Sequence, residues 1–129
     1  MSGQLILIVE DNARNAKLLR DVLQASGYRT IDRATAEDGI AVARCDRPDL
    51  ILMDIQLPGM DGKTALRELR AHPETVHIPV IAVTASVMPL ERKDILAHGF
   101  DGFQGKPLSV RSLLEEVGRV LDERSKSTP

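Results

Sequence analysis

The chain has few of the features that mark exported, membrane-embedded or nucleic-acid-binding proteins. Its single cysteine, Cys45, cannot form an internal disulfide, which favours a reducing compartment. A formal net charge of −2 offers no basic surface for nucleic acid. No basic leader precedes a long apolar stretch, so we expect neither a signal peptide nor a membrane span. The chain is therefore expected to be cytoplasmic, without direct nucleic-acid or membrane partners.

The apolar pattern predicts one α/β domain. The length of 129 residues is typical of a single domain and allows a core without disulfides. Short apolar runs of strand character alternate five times with segments whose apolar residues have helical spacing. The predicted strands cover residues 5–9, 28–33, 50–54, 78–84 and 100–105, and each precedes a helix. We expect the domain to span residues 1–124 and residues 125–129 to form a disordered tail.

Alternating strands and helices predict a parallel sheet with helices on both faces and right-handed crossovers, a doubly wound (βα)5 fold. The residues themselves do not set the order of the five strands. The flavodoxin-like order 2-1-3-4-5 is a common solution, and it places the switch point of the sheet between the first and third strands. In such sheets, ligands bind at the carboxyl ends of the strands near that point.

Acidic residues follow both strands at the expected switch point. The first strand is followed by Glu10 and Asp11, and the third ends with Asp54 after an apolar run. Two such charges about 4 Å apart would repel by roughly 4 kcal/mol at an effective dielectric constant of 20. A divalent cation removes this penalty, and oxygen ligands with room for water favour Mg²⁺. The alternative, that each acid caps a helix for about 1 kcal/mol, explains one acid better than three.

Two further polar residues are expected at the same edge. Thr84 ends the fourth predicted strand, and Lys106 follows the fifth. An ammonium group and a hydroxyl beside a metal-bound carboxylate form a receptor for a phosphoryl group. In that setting a carboxylate nucleophile such as Asp54 would form an acyl phosphate. Taken singly, Thr84 is an ordinary strand residue and Lys106 an ordinary surface charge, so the prediction depends on their combination.

Together these residues resemble the site of a known family. In chain order they are Glu10, Asp11, Asp54, Thr84 and Lys106, the last followed by Pro107. The ordered set, with the spacing Asp54-x3-Pro58-x3-Gly62, resembles the CheY-like receiver domain of two-component response regulators over about residues 4–122. The stretches around Glu10 and Asp54 look most like stand-alone receivers of the DivK type and receivers of hybrid kinases.

The resemblance implies a role for each of these residues. Asp54 would accept a phosphoryl group from a histidine kinase or a histidine phosphotransfer protein. Asp11, Asp54 and the main-chain carbonyl of Gln56 would bind Mg²⁺ directly, and Glu10 would act through water. Lys106 would hold a phosphoryl oxygen.

The resemblance also implies a switch. Thr84 would move to hydrogen-bond the phosphoryl group, and the ring of Phe103 would follow it inward. This change would alter the binding of a downstream protein on the surface formed by the fourth helix, fifth strand and fifth helix. Gln56 and Ser86 would tune dephosphorylation. Because the chain has only one Tyr and two Phe, the alternative is that Phe103 simply belongs to the core.

The resulting expectation is a single-domain response regulator that uses Mg²⁺ and catalyses only its own phosphorylation and dephosphorylation. It would be a monomer or a phosphorylation-dependent dimer. The alternative is a relay intermediate that passes the phosphoryl group to a second histidine protein. A haloacid-dehalogenase-type phosphatase would need a second Asp where Gln56 stands, and a nucleotide-binding switch would need a Gly-Lys-Ser/Thr loop, which the sequence lacks.

Overall fold

The computed structural model describes residues 3–57, 59–84, 89–105 and 109–127 and, within these ranges, all side chains except those of 89–92 and 124–127. The strands are β1 (Leu5–Val9), β2 (Arg29–Arg33), β3 (Leu50–Asp54), β4 (Val80–Thr84) and β5 (Gly102–Gly105). The helices are α1 (Ala13–Ala25), α2 (Ala36–Asp46), α3 (Gly62–Ala71), α4 (Pro89–Ala97) and α5 (Val110–Ser127). The strands form one parallel sheet in the order β2-β1-β3-β4-β5. The predicted α/β fold and strand order are confirmed.

The inner strands are apolar throughout because both of their faces are covered. Every residue of β3 and of β4 is buried. Leu7 and Val9 of β1 face the apolar layer that α2, α3 and α4 cover, whereas Ile6 and Ile8 face the layer that α1 and α5 cover. Since successive side chains of a strand point to opposite faces, a strand between two helical layers needs an unbroken apolar run rather than an alternating one.

The edge strand β2 differs from this pattern, and the interior strand β4 begins slightly later than the sequence predicts. β2 is half-buried or exposed along its whole length, as expected at a sheet edge. The fourth strand begins at Val80 rather than at Ile78. The reason is a turn, in which the Ile78 N–H donates to the Thr75 carbonyl at 3.1 Å. Pro79 follows and has no N–H to offer to a strand ladder.

The last helix is longer than the sequence predicts. It continues to Ser127, so residues 125–127, which were expected in a disordered tail, are helical. No Gly or Pro interrupts the chain between Gly118 and Pro129, and Arg119 pairs with Glu123 one turn later at 2.7 Å. Residues 128 and 129 lie outside the described ranges. Within those ranges, no helix combines the length and the hydropathy needed to cross a bilayer.

Candidate functional site

Asp54 is a buried carboxylate at the carboxyl end of the central strand. It is the last residue of β3, and only 4% of its surface is exposed. The apolar residues before it pack against both helical layers, and this packing fixes where the carboxylate emerges. The Gln56 N–H donates to Asp54 Oδ1 at 2.9 Å, while the Gln56 side chain is exposed. The tight turn after β3 therefore orients the carboxylate.

Glu10 and Asp11 reach the same place from β1. Val9, the last residue of β1, lies opposite Met53 of β3. Glu10, directly after β1, and Asp54, directly after Met53, are therefore neighbours. Glu10 is only 3% exposed, and its Oε2 accepts a hydrogen bond from the Asn12 N–H at 3.1 Å. Asp11 is exposed on the outer side. The strand order thus brings together acids that are distant in the chain.

The three acids form a compact group of oxygen ligands. One carboxylate oxygen from each of Glu10, Asp11 and Asp54 lies within 4.8 Å of the other two. At that separation each charge pair repels by about 3 kcal/mol at an effective dielectric constant of 20, less where Asp11 meets solvent. The donors are hard oxygens, and the exposed side leaves room for water ligands, as Mg²⁺ requires. The residues therefore fit a hard divalent cation.

Thr84 lies at the same edge, one strand further along the sheet. It is the last residue of β4 and is 4% exposed. Asp54 lies opposite Val83 in the pairing of β3 with β4, which places Thr84 one position beyond it. Lys106, Pro107 and Ser86 lie outside the described residues, so the roles predicted for Lys106 and Ser86 stay predictions.

The start of α3 packs tightly against the end of β3. The Gly62 N–H donates to the Ile55 carbonyl at 2.9 Å. A Cβ at Gly62 would lie 2.7 Å from the Ile55 Cα and 3.0 Å from the Asp54 carbonyl oxygen, so only glycine permits this approach. Asp61 caps the helix by accepting the Thr64 N–H at 2.8 Å. This cap was not predicted from the sequence, although an acid three residues before Thr64 at a helix start is a recognisable signal.

Phe103 is half-buried on β5, and its ring packs against the apolar layer of α2, α3 and α4. This position is compatible with a core role and with a switch role. Its N–H donates to Glu116 Oε2 at 3.3 Å. Glu116 is in turn paired with Arg119. Neither Glu116 nor Arg119 was predicted from the sequence, because their contact with β5 joins segments that are separate in the chain.

Comparisons with known proteins show the family to which this chain belongs. The sequence profile of the response regulator receiver domain matches residues 6–118. The polar-differentiation response regulator DivK of Brucella anthropi is 43% identical over 118 residues, which are 92% of this chain and 96% of that protein. DivK of Brucella abortus is 42% identical over the same shares of both chains.

Solved structures show the same architecture. The receiver domain of a sensor histidine kinase from Pseudomonas aeruginosa is 35% identical with a TM-score of 0.86, covering 94% of this chain and 99% of that one. A magnesium ion is coordinated in its active site cleft. A CheY-like receiver domain protein from Methanospirillum hungatei is 33% identical with a TM-score of 0.85, covering 97% of this chain and 98% of that one. Fold, acidic cluster and sequence profile agree, and this chain belongs to the receiver domain family of response regulators, the signalling proteins of two-component systems.

Proposed function

We propose that the protein is a phosphorylation switch in which Asp54 accepts a phosphoryl group in the presence of Mg²⁺. The observation that carries the proposal is the burial of Asp54 beside Glu10 and Asp11, with an oxygen of each within 4.8 Å of the others. Asp11, Asp54 and the Gln56 carbonyl are the proposed direct ligands of the ion, and Glu10 the ligand through water. When bound, Mg²⁺ would neutralise the carboxylates and the charge on the transferring group.

The transfer itself needs a nucleophile and a phosphoryl donor held in line. A carboxylate oxygen of Asp54 attacks the phosphorus, the bond from phosphorus to the donor's histidine nitrogen breaks, and that nitrogen keeps the electron pair. The product is an acyl phosphate. Lys106 is proposed to hold one phosphoryl oxygen through its positive charge. The only reactions proposed for the protein are this uptake and the later hydrolysis, whose rate Gln56 and Ser86 would tune.

The proposed output is a population shift between two forms of the domain. Phosphorylation adds up to about two negative charges and strong acceptor oxygens at Asp54. Thr84, buried at the same edge, would donate a hydrogen bond from its hydroxyl to the phosphoryl group. The ring of Phe103 would follow Thr84 inward. A downstream protein would distinguish the two forms on the surface made by α4, β5 and α5.

The proposed partners follow from this chemistry. A histidine kinase or a histidine phosphotransfer protein would supply the phosphoryl group, and a downstream protein would read the result. We place the protein in the cytoplasm with its phosphoryl donor, as a monomer or as a dimer that forms on phosphorylation.

Intact-mass spectrometry tests the proposal directly. Acetyl phosphate with Mg²⁺ should add about 80 Da, the mass of one phosphoryl group, to the wild type and nothing to Asp54→Asn. Asp21→Asn is the matched control, because Asp21 is an exposed acid on α1 that pairs with Lys17 at 2.6 Å, and it should be labelled like the wild type. EDTA should prevent labelling. Labelling of Asp54→Asn, or labelling that survives EDTA, would contradict the proposal.

A further inference from the structure

The outer edge of β5 is covered by a carboxylate from α5. β5 is an edge strand, and the Phe103 N–H donates to Glu116 Oε2 at 3.3 Å. The neighbouring residue, Gly102, has no side chain, and a Cβ at this position would displace the Glu116 carboxylate. Glu116 therefore lies directly against the β5 backbone, where the hydrogen bond from Phe103 holds it and the glycine leaves it room.

Arg119 holds that carboxylate in place. Its Nε donates to Glu116 Oε1 at 2.9 Å and its Nη2 to Glu116 Oε2 at 3.1 Å. Nη2 also donates to the Asp101 carbonyl at 3.1 Å, and Nη1 donates to Glu123 Oε2 at 2.7 Å. These carboxylates, Glu116 first, hold the pKa of Arg119 above its usual value. A bidentate pair inside a network contributes more than an isolated surface ion pair.

Phe103 lies where the two helical layers meet. Its ring belongs to the layer of α2, α3 and α4, which includes Ile95 of α4. Its N–H, in contrast, is held by Glu116 of α5, a helix of the opposite layer. A movement of β5 at Phe103 must therefore either carry the Glu116 carboxylate with it or break that hydrogen bond.

We propose that Glu116 and Arg119 are positioning residues that couple Phe103 to α5, so that α5 follows β5 when Asp54 is phosphorylated. The inference rests on the function proposed above. The α4 side of the output surface receives the change through the ring of Phe103, and the α5 side receives it through Glu116 and Arg119. A second, longer contact from Gln104 Nε2 to the Ser112 carbonyl, at 3.4 Å, also joins β5 to α5. Loss of the Glu116 pair should therefore weaken the coupling without abolishing it.

Nuclear magnetic resonance with beryllofluoride and Mg²⁺, a mimic of the acyl phosphate, tests this inference. The measured quantity is the ratio of two changes in amide chemical shift, that of Val120 and Leu121 on α5 to that of Thr84 on β4. A substitution that only lowers the stability of the domain would not change this ratio, as long as the variant remains folded. In Glu116→Ala we expect the Thr84 change to persist and the ratio to fall at least about threefold.

Four further variants accompany Glu116→Ala: one is a matched control, and three test the same contact in other ways. Glu115→Ala is the matched control and removes a carboxylate from the preceding position. The Glu115 side chain is 68% exposed and lies 3.6 Å from Arg111, so this variant should keep the wild-type ratio. Gly102→Ala should lower the ratio from the strand side by displacing the Glu116 carboxylate. The ratio in the double variant Gly102→Ala/Glu116→Ala should be no lower than in either single variant, because both substitutions remove the same contact. Glu116→Gln, which keeps an oxygen acceptor, should retain more of the ratio than Glu116→Ala.

Each outcome decides the inference. A wild-type ratio in both Glu116→Ala and Gly102→Ala would overturn it while leaving the proposed function intact. An equal fall of the ratio in Glu115→Ala would mean that the charge of α5, and not the contact with Phe103, causes the effect, and it would also overturn the inference. If the wild type shows no change at Thr84 and Asp54 takes up no phosphoryl group, the proposed function fails and this inference fails with it.

Discussion

Two sets of acidic residues lie at opposite ends of the parallel strands, and they have different roles. The amino edge of the sheet is where its strands begin, and the carboxyl edge is where they end. At the amino edge, Asp49 and Asp101 directly precede β3 and β5. Asp49 Oδ2 accepts the Leu5 N–H and Asp101 Oδ2 accepts the Val80 N–H, each at 2.8 Å. Each acid therefore fastens the first residue of a neighbouring strand. At the carboxyl edge, the acids instead approach one another to within 4.8 Å.

The contrast shows how to separate structural acids from functional ones. An acid that satisfies a backbone N–H at a strand start stabilises the fold, since a buried N–H without an acceptor is costly. Asp101 is further balanced by Arg70 at 3.2 Å. Acids that crowd together at the other edge raise the free energy of the metal-free fold through mutual repulsion. The divalent cation proposed above would offset this repulsion.

The largest effect on stability is expected at the amino edge. Asp101→Ala leaves the buried Val80 N–H without its acceptor and removes the carboxylate that pairs with Arg70. Loss of a charged hydrogen bond of this kind costs about 2 kcal/mol, which should lower the thermal midpoint by about 8 °C. Circular dichroism melts would measure it. The control is Asp46→Ala, at an exposed acid at the end of α2. Its free energy of unfolding should lie within about 0.5 kcal/mol of the wild-type value. An equal loss in both variants would remove the distinction.

The opposite sign is expected at the carboxyl edge. Asp11→Asn relieves part of the repulsion, so the metal-free protein should become more stable by up to about 1 kcal/mol, solvent screening included. The same change should weaken Mg²⁺ binding at least about tenfold, which corresponds to about 1.4 kcal/mol. Melts in EDTA and isothermal titration calorimetry with Mg²⁺ would measure the two effects. Asp21→Asn, with the same change in net charge, should leave Mg²⁺ affinity unaltered. A destabilised metal-free Asp11→Asn would place that acid with the structural set.

The smallest effect is expected for an acid at the carboxyl edge that has a structural role. Asp61 caps α3, and Asp61→Ala should cost about 1 kcal/mol near neutral pH. Its hydrogen bond from the Thr64 N–H, with Lys63 contributing less, lowers the pKa of Asp61 below the usual value of 3.8. Because the folded state favours the ionised form, this contribution is complete above pH 3.8 and is lost as the pH falls through the lowered pKa.

Urea denaturation of the wild type and of Asp61→Ala at pH 7, 4 and 3 would measure this change. The difference between the two proteins should be full at pH 7 and smallest at pH 3. A difference that grows toward acid would mean that the Asp61 carboxylate is not what stabilises the start of α3.

Parts of the fold were predictable because they depend on local burial. The continuous apolar run before Asp54 predicted a strand over residues 50–54, which the structure confirms as β3. The start of β4 and the last residues of α5 were predicted less well. A turn at Ile78 and side-chain pairing along α5 decide those ends, and apolar periodicity records neither of them.

The sequence by itself determined the alternation of strands and helices, the acids that follow β1 and end β3, and the family resemblance of those residues. Only the tertiary structure decided that Glu10, Asp11 and Asp54 meet, and that Glu116 of α5 holds the β5 backbone at Phe103. The physical reason is that apolar periodicity encodes the burial of a segment but not its neighbour in the sheet. Neighbours follow from strand order and from the crossovers that connect parallel strands, and these depend on the packing of the whole chain.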